Sequence, residues 1–148
     1  MTELHDDLSP RPDTPVEVWQ PTGQPLPLVC DSPHSGTAYP DDFGHAVPLA
    51  LLRRGEDTHV HRLWHTAPAH GATLIAATFP RTYIDVNRAD NDLDPAQLDG
   101  VWPVPLAPGP KTRQGLGLIW QQISKDGVAT PLYARPRTVA EVQRRIDC

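Results

Sequence analysis

Cysteine is scarce in this sequence, and basic charge is not in excess. The 148 residues contain two cysteines, Cys30 and Cys148, which are far apart and form no CxxC pair. This usage agrees with a reducing compartment and argues against a sulfur metal site. The net charge is -5, so the chain lacks the broad basic face with which proteins neutralise a phosphate backbone. We therefore expect no nucleic-acid partner.

Long apolar runs are also missing. No segment approaches the roughly 20 apolar residues of a membrane-spanning helix. Residues 1–15 are acidic and contain proline, and they lack the basic and then apolar order of a signal peptide. We therefore predict a cytoplasmic protein with no membrane partner.

Proline is the residue type that is plentiful. The chain has 18 prolines, well above the average usage of about 5%. They fall mainly between the apolar segments, which predicts long ordered loops around a modest sheet. We expect a flexible segment over residues 1–24 and a single domain over residues 25–148, since 39% hydrophobic residues can form one core.

The order of the apolar patterns predicts an α/β fold. Pro25 to Asp31 has the pattern of a buried strand, and residues 47–54 are weakly helical. Glu56 to Ala67 has apolar residues at helical spacing, with acidic residues in its first turn. Thr73 to Phe79 is typical of a strand covered on both faces, and Thr82 to Val86 alternates like a half-buried strand. Strand, helix and strand in this order predict a βαβ unit, with helices flanking the sheet.

The last residues predict a helix. Thr138 and Glu141 form a capping box, and an apolar stripe at helical spacing follows at Val139, Val142 and Ile146. The stripe continues to Cys148 without a stop signal, so we expect a domain truncated inside a helix. An exposed stripe and a bare sheet edge would then favour self-association.

Three clusters of polar residues carry the candidate chemistry. The first is His34 in the loop Ser32-Pro33-His34-Ser35-Gly36, directly after a predicted strand. Ligands of open α/β sheets bind beyond the carboxyl ends of the strands, so His34 stands where a ligand or catalytic histidine is expected. A turn histidine that caps backbone groups would fit this position equally well.

The second cluster runs from Gly55 to His61. Acidic residues at a helix start are favoured by the helix dipole alone, by about 0.3 to 1 kcal/mol each. Asp57 and His61 are four residues apart and would share a helix face, which suits a metal ion, whereas His59, His61 and His65 in polar surroundings are more often solvated. We expect this segment to supply a second metal ligand, but the sequence does not fix which side chain it is.

The third cluster runs from Pro80 to Arg88. Arg81 and Arg88 offer planar guanidinium groups that suit a carboxylate, and Asp85 is placed to hold one of them. The alternative is a surface ion-pair set worth at most about 1 kcal/mol. We favour a functional role because these residues follow a strongly apolar strand.

The order of these motifs is similar to that of the N-formylglutamate amidohydrolase family. The matching segments are SPHSGTAYP, EDTHVHRLW, RTYIDVNR, GLGLIW and PLYARPRTVAEVQRRID, which extend from about Pro27 to the end of the chain. The resemblance implies a zinc-carboxypeptidase-like fold of the phosphorylase/hydrolase type. It also implies metal-dependent hydrolysis of N-formyl-L-glutamate to formate and glutamate, in histidine degradation.

Residue roles follow from the same resemblance. It implies that His34 and Asp57 bind Zn²⁺ or another divalent ion, with Glu56 as the fallback ligand, and that Arg81, Asn87 and Arg88 bind the substrate. A further ligand histidine and the general base glutamate are expected beyond Cys148. Two protein ligands are fewer than the three of a typical catalytic zinc site, so metal and activity could both be lost in this chain. Hydrolysis of another N-acyl amino acid, or anion binding without catalysis, are the alternatives.

Overall fold

The computed structural model describes residues 14–148. Within them, short strands and helices are connected by long loops. The strands are β1 Val16–Trp19, β2 Val29–Ser32, β3 Thr73–Ala77, β4 Leu98–Asp99, β5 Gln122–Lys125, β6 Val128–Pro131 and β7 Arg137–Thr138. The α-helices are α1 Leu49–Leu52, α2 Val60–Leu63 and α3 Val139–Ile146.

A three-stranded sheet in the order β1-β3-β2 organises the first half of the chain. β2 pairs in parallel with β3, and α1 and α2 lie between them in sequence, so the predicted βαβ unit and the mixed α/β class are confirmed. β1 pairs antiparallel with the other side of β3. Val16–Trp19 therefore forms a strand inside the segment predicted to be flexible, and the prediction is wrong there. Residues 1–13 of that segment lie outside the described residues.

The two faces of the sheet differ in burial, which the apolar sequence of β3 did not predict. Leu74 and Ala76 are buried on one face, whereas on the opposite face Thr73 and Ile75 are only partly buried and Ala77 is buried. β2 is likewise an edge strand that is largely exposed rather than buried. The prediction that β3 is covered on both faces therefore holds in part: no residue of β3 is exposed, but one face is buried less completely than the other.

The helix predicted over residues 56–67 is much shorter. α2 has one turn, and His59 before it adopts a left-handed conformation with φ of 64°. Leu63 is 77% exposed and Trp64 48% exposed, whereas His61 is buried. The predicted apolar face therefore points outward, and a 3-10 turn over Ala67–His70 leads into β3.

Residues 82–86 form a chain of turns rather than a strand. The backbone hydrogen bonds here are local turn bonds, from Tyr83 N–H to Pro80 O and from Arg88 N–H to Asp85 O. Thr82, Tyr83, Ile84 and Asp85 are all buried, so the apparent alternation does not separate an inner from an outer face. Val86 at the end of the segment is 50% exposed.

The last helix begins as predicted. The Thr138 side chain accepts from Glu141 N–H, and the Glu141 carboxylate accepts from Thr138 N–H. Val142 is 1% exposed in the core, and Val139 and Ile146 pack against that core. The expectation of an exposed apolar stripe on this helix is therefore wrong.

Arg145 fastens α3 to the core. Its guanidinium donates to Tyr83 O and to the Tyr133 hydroxyl, both at 2.8 Å, and to Phe43 O at 2.9 Å. The same group lies over the rings of Tyr83, Phe43 and Tyr133, at 4.3 to 5.5 Å from their centroids. A buried cation is thus satisfied by carbonyls, a hydroxyl and aromatic faces.

A search of residues 14–148 finds no helix that is long and apolar enough to cross a membrane.

We predict that Arg145→Ala lowers the free energy of unfolding by about 3 kcal/mol. The substitution leaves two buried carbonyl groups without their donor and removes the cation from its aromatic surround. Urea unfolding followed by tryptophan fluorescence measures the change. Arg144→Ala, at the neighbouring exposed position of α3, is the matched control and should change stability by less than about 0.5 kcal/mol. Equal losses in the two variants would show that the Arg145 contacts do not stabilise the fold.

Candidate active site

The candidate site lies at the carboxyl ends of β2 and β3. Because these strands are parallel, the loops that follow them emerge at the same edge of the sheet. The loop after β2 carries His34, and the segment after β3 carries Arg81, Asp85 and Arg88. The predicted first and third clusters are therefore brought together by the strand order itself.

Gly36 allows the His34 loop to lie against β3. A Cβ atom at this position would come within 2.3 Å of Phe79 O and 2.4 Å of Thr78 O, closer than any side chain can approach. The neighbouring Ala38 N–H donates to Thr78 O at 2.9 Å. The glycine of the PHSG motif thus has a steric role, which is to seat the histidine loop at the end of the sheet.

Asp57 reaches the site through a backbone contact with the histidine loop. Its N–H donates to His34 O at 3.1 Å, so the two residues are adjacent although 23 positions separate them. The adjacent Glu56 turns away, because its carboxylate accepts from the Tyr39 hydroxyl at 2.7 Å and pairs with Arg53. Of the two acidic residues, Asp57 is the one beside His34, and Glu56 anchors the segment.

Both ring nitrogens of His34 face carboxylates. Nε2 lies 2.8 Å from Asp85 Oδ1, and Nδ1 lies 3.3 Å from Asp57 Oδ2. Asp85 is fully buried beside Nε2 and Asp57 lies beside Nδ1, so the ring is held between two carboxylates.

Asp85 is the most connected residue of the site. Its carboxylate accepts from His34, from Arg81 at 3.2 Å, from the Trp120 indole N–H at 3.4 Å and from Asn87 N–H at 3.1 Å. Burial opposes ionisation, but the hydrogen bond and charge of His34, together with Arg81 and Asn87 N–H, outweigh it. These contacts lower the pKa of Asp85 to about 2.

Arg81 lies inside the site, with its guanidinium engaged by carboxylates. One terminal nitrogen is 3.4 Å from both oxygens of Asp57, and the other donates to Asp85. The guanidinium also lies over the Trp120 ring, 4.9 Å from its centroid. Trp120 was not singled out from the sequence, because nothing local marks a residue 35 positions from Asp85 as its neighbour.

Arg88 and Asn87 line the outer side of the same carboxylate. Arg88 Nε is 3.9 Å from Asp85 Oδ2, an ion pair without a formal hydrogen bond, and the Arg88 side chain is 25% exposed. The Asn87 side chain is exposed, while its backbone N–H donates to Asp85. Arg88 therefore interacts with Asp85 more weakly than Arg81 does. The guanidinium of Arg88 is better placed than that of Arg81 to contact a bound anion.

The His34 and Asp57 atoms fit a shared divalent ion. Two ligands at 2.0 to 2.2 Å from a tetrahedral ion lie about 3.4 Å apart, which agrees with the 3.3 Å between Nδ1 and Oδ2. Asp85 behind Nε2 gives the carboxylate–histidine arrangement that orients metal-bound imidazoles. Across the described residues, however, no group of three or more His, Cys, Asp or Glu side chains gathers at one point.

The alternative histidines of the second cluster lie elsewhere. His61 is buried at a small pocket that is lined also by Trp19, Ser35 and Thr78. Burial, followed by the charges of His59 and Arg62, lowers the pKa of His61. The His65 ring bonds to the carbonyl of Arg62. The structure brings only Asp57 of this cluster to His34.

Comparisons with known proteins point to one family. The family model described as N-formylglutamate amidohydrolase matches residues 26–148. The N-formylglutamate deformylase of Pseudomonas putida is 34% identical over 95 residues, which cover 62% of this chain and 36% of that protein. The Pseudomonas aeruginosa deformylase is 29% identical over 120 residues, which cover 79% of this chain and 41% of that protein.

A solved structure gives the same result. The N-formylglutamate amidohydrolase of Ralstonia eutropha JMP134 is 62% identical, with a TM-score of 0.85, and the match covers 90% of this chain. The matched part is 46% of that protein. The chain thus spans less than half the length of each of these relatives.

We predict that the Asp85 carboxylate stabilises the fold in a pH-dependent way. Its pKa falls from 3.8 to about 2 on folding, so its contribution is fully present above pH 3.8 and is lost as the pH falls toward 2. Asp85→Asn should lower the free energy of unfolding by about 2 kcal/mol at pH 7, with a smaller difference at pH 2. Urea unfolding across this range measures it.

Asp90→Asn, an exposed acidic position five residues on, is the matched control. A stability difference for Asp85→Asn that stays constant from pH 7 to pH 2 would contradict the assignment of a strongly lowered pKa.

Proposed function

Since the chain belongs to the N-formylglutamate amidohydrolase family, we propose that it forms part of an enzyme that hydrolyses N-formyl-L-glutamate to formate and L-glutamate, in histidine degradation. The observation that supports this most is the arrangement around His34. His34 contacts the buried Asp85 carboxylate through Nε2, and its Nδ1 lies 3.3 Å from Asp57 Oδ2. This is the separation expected of two ligands that bind one ion. Arginines stand beside this pair, where an anionic substrate would need them.

The metal in this proposal is zinc or another divalent ion, held by His34 Nδ1 and Asp57. When bound, it would polarise the formyl carbonyl and lower the pKa of a bound water toward about 7. Asp85 keeps the His34 ring in the tautomer and orientation that binding requires. Among the described residues only two ligands converge, so a third is expected from outside them.

The substrate in this proposal is a small anionic N-acyl amino acid. Arg88 and the Asn87 side chain would bind a substrate carboxylate, because a guanidinium fork matches a carboxylate in geometry and charge. Arg81 would contribute mainly by balancing the charges of Asp57 and Asp85, to which it is already bonded. Because the chain carries a net charge of -5, these local contacts must outweigh its overall repulsion of an anion.

Two further features complete the proposal. We propose that the complete domain has a zinc-carboxypeptidase-like sheet, of which β1, β3 and β2 are a part. We also propose a cytoplasmic location, in agreement with the free thiols of Cys30 and Cys148. A binding role without catalysis is the second candidate, because the described residues supply two ligands of the three that catalysis usually needs.

A chimera tests the function. Residues 26–148 of this chain would replace the matching part of the R. eutropha relative, and formate release would be measured with N-formyl-L-glutamate and a panel of other N-acyl amino acids. We expect release from N-formyl-L-glutamate, with the 148-residue chain alone at least about 100-fold slower. If the chimera prefers another N-acyl amino acid, that compound becomes the proposed substrate. A chimera that folds but releases no formate would favour the binding role.

We predict that Arg88→Lys lowers kcat/KM of the chimera about 30-fold. Lysine keeps the charge but loses the two-pronged contact with a carboxylate, worth about 2 kcal/mol. Arg113→Lys, at an exposed position in a 3-10 turn, is the matched control and should leave kcat/KM unchanged. An unchanged kcat/KM in Arg88→Lys would remove this residue from substrate binding.

We predict that Asp57→Asn lowers the zinc content of the purified chimera at least about tenfold, because a neutral amide is a poor replacement for a carboxylate ligand. Glu56→Gln should retain zinc and lose stability instead, since Glu56 bonds to Tyr39 and Arg53. Elemental analysis and urea unfolding of both variants make the comparison. Loss of zinc in Glu56→Gln alone would reassign the ligand to Glu56.

A further inference from the structure

The Trp120 side chain lies against three parts of the candidate site. Its indole N–H donates to Asp85 Oδ2 at 3.4 Å, and the Arg81 guanidinium lies over its ring at 4.9 Å from the centroid. A Cβ atom on Gly55, two residues before Asp57, would come within 3.3 Å of Cζ3 of the same ring, so the ring edge lies against this backbone. One side chain is therefore in contact with both neighbouring charged groups and with the chain that leads to Asp57.

Trp120 is itself held in place by the segment that carries it. Leu116 and Trp120 form a short antiparallel bridge, and the Trp120 ring packs against the hydrophobic core. The carbonyl of Leu118, which lies between them in sequence, accepts from Asp85 N–H at 2.8 Å. Backbone and side chain of this segment thus both reach Asp85, and the ring has a fixed position relative to the site.

The hydrogen bonds of Arg81 do not by themselves fix its guanidinium. Its contacts with the Asp57 and Asp85 carboxylates are 3.2 to 3.4 Å long, whereas strong charge-assisted bonds measure about 2.7 to 2.9 Å. The Arg81 Nε atom is buried and has no hydrogen-bond partner among the described residues. A cation held this loosely between two carboxylates needs a surface that keeps its plane in place, and the face of an aromatic ring supplies one.

We propose that Trp120 is a positioning residue of the active site. Its ring holds the Arg81 guanidinium between the carboxylates of Asp57 and Asp85. These carboxylates in turn hold the His34 ring from either side. The face of the Trp120 ring contributes more than the indole N–H, since a donor 3.4 Å from its acceptor makes a weak hydrogen bond. The inference rests on the proposed function, in which His34 and Asp57 bind the metal.

NMR spectroscopy of the 148-residue chain, without metal or substrate, tests the positioning directly. The Nε–H signal of Arg81 should be shifted by the ring current of Trp120, and the ring N–H signal of His34 should be protected from exchange with water. Trp120→Leu removes the aromatic ring, whereas Trp120→Phe keeps an aromatic face and removes only the indole N–H. Trp64→Leu, at a tryptophan that is 48% exposed, is the matched control.

We expect Trp120→Leu to abolish the shift of the Arg81 signal and to speed exchange of the His34 ring N–H at least about tenfold. Trp120→Phe should keep part of the Arg81 shift and speed the exchange less than about threefold, and Trp64→Leu should change neither. The Nε–H signal of Arg145, which lies over Tyr83, reports whether each variant keeps the fold. Should Trp120→Leu not fold, the shift in the wild-type chain and its partial retention in Trp120→Phe decide the question.

Kinetics of the chimera separate positioning from substrate binding. Trp120→Leu should lower kcat at least about tenfold and change KM less than about twofold, because it disturbs His34 and Asp57 and leaves Arg88 in place. A rise in KM at unchanged kcat would assign Trp120 to substrate binding and overturn the proposal.

The NMR results stand apart from the proposed function. An unshifted Arg81 signal in the wild-type chain, unchanged Arg81 and His34 signals in Trp120→Leu, or equal effects in Trp64→Leu would each overturn the positioning role, even if the chimera is active. The expected signals in a chain whose chimera releases no formate would keep the positioning role and contradict the proposed function.

Discussion

A carboxylate that is wholly removed from water needs donors from the protein itself, and Asp85 receives them from several separate segments. His34 comes from the loop after β2, Arg81 and Asn87 from the turns after β3, and Trp120 from the approach to β5. An unpaired carboxylate in such a place would cost several kcal/mol. The loops are therefore constrained to converge, and the same convergence builds the site.

The cation Arg145 extends this constraint to the last helix. Its guanidinium bonds to Tyr83 O, two residues before Asp85, and to Phe43 O. The Tyr83 hydroxyl donates in turn to Asp42, which fixes the turn that carries Phe43. Burial, then the hydrogen bond and charge of Asp42, raise the pKa of Tyr83, so the hydroxyl remains a donor at physiological pH. The segment that holds Asp85 is thus clamped between the sheet and α3.

The features that the sequence predicts well are local ones. The capping box of Thr138 and Glu141 needs only residues three apart, and the βαβ order needs only the succession of apolar segments. The helix over residues 56–67 failed because His59 adopts a left-handed conformation that ends any continuous helix before α2. The strand over residues 82–86 failed because contacts distant in sequence, such as Arg145 with Tyr83, accompany the burial of four successive residues, Thr82 to Asp85.

In the candidate site, too, the local features could be predicted from the sequence and the long-range contacts could not. The residue types of His34 and Arg88, placed after predicted strands, marked them as candidates from the sequence alone, whereas the choice of Asp57 within its cluster came from the family resemblance. The mutual geometry of His34 and Asp57 depends on the close approach of Gly36 to the backbone of Thr78 and Phe79, just after β3, and on a hydrogen bond between Asp57 and His34. The role of Trp120, 35 residues from Asp85, is a property of the folded chain alone.

The charges of the site favour a cation near Asp57 and an anion near Arg88. Asp57 and Asp85 contact His34 on either side and both contact Arg81, so a cation bound at His34 and Asp57 would lie beside carboxylates. Arg88 Nε lies 3.9 Å from Asp85 Oδ2 and the side chain is partly exposed, so the charge of Arg88 is less fully neutralised than that of Arg81. A substrate that places a carboxylate at Arg88 and an amide carbonyl toward His34 would match both regions. An N-acyl amino acid has these two groups, which is why the polarity of the site, as well as family membership, supports this class of substrate.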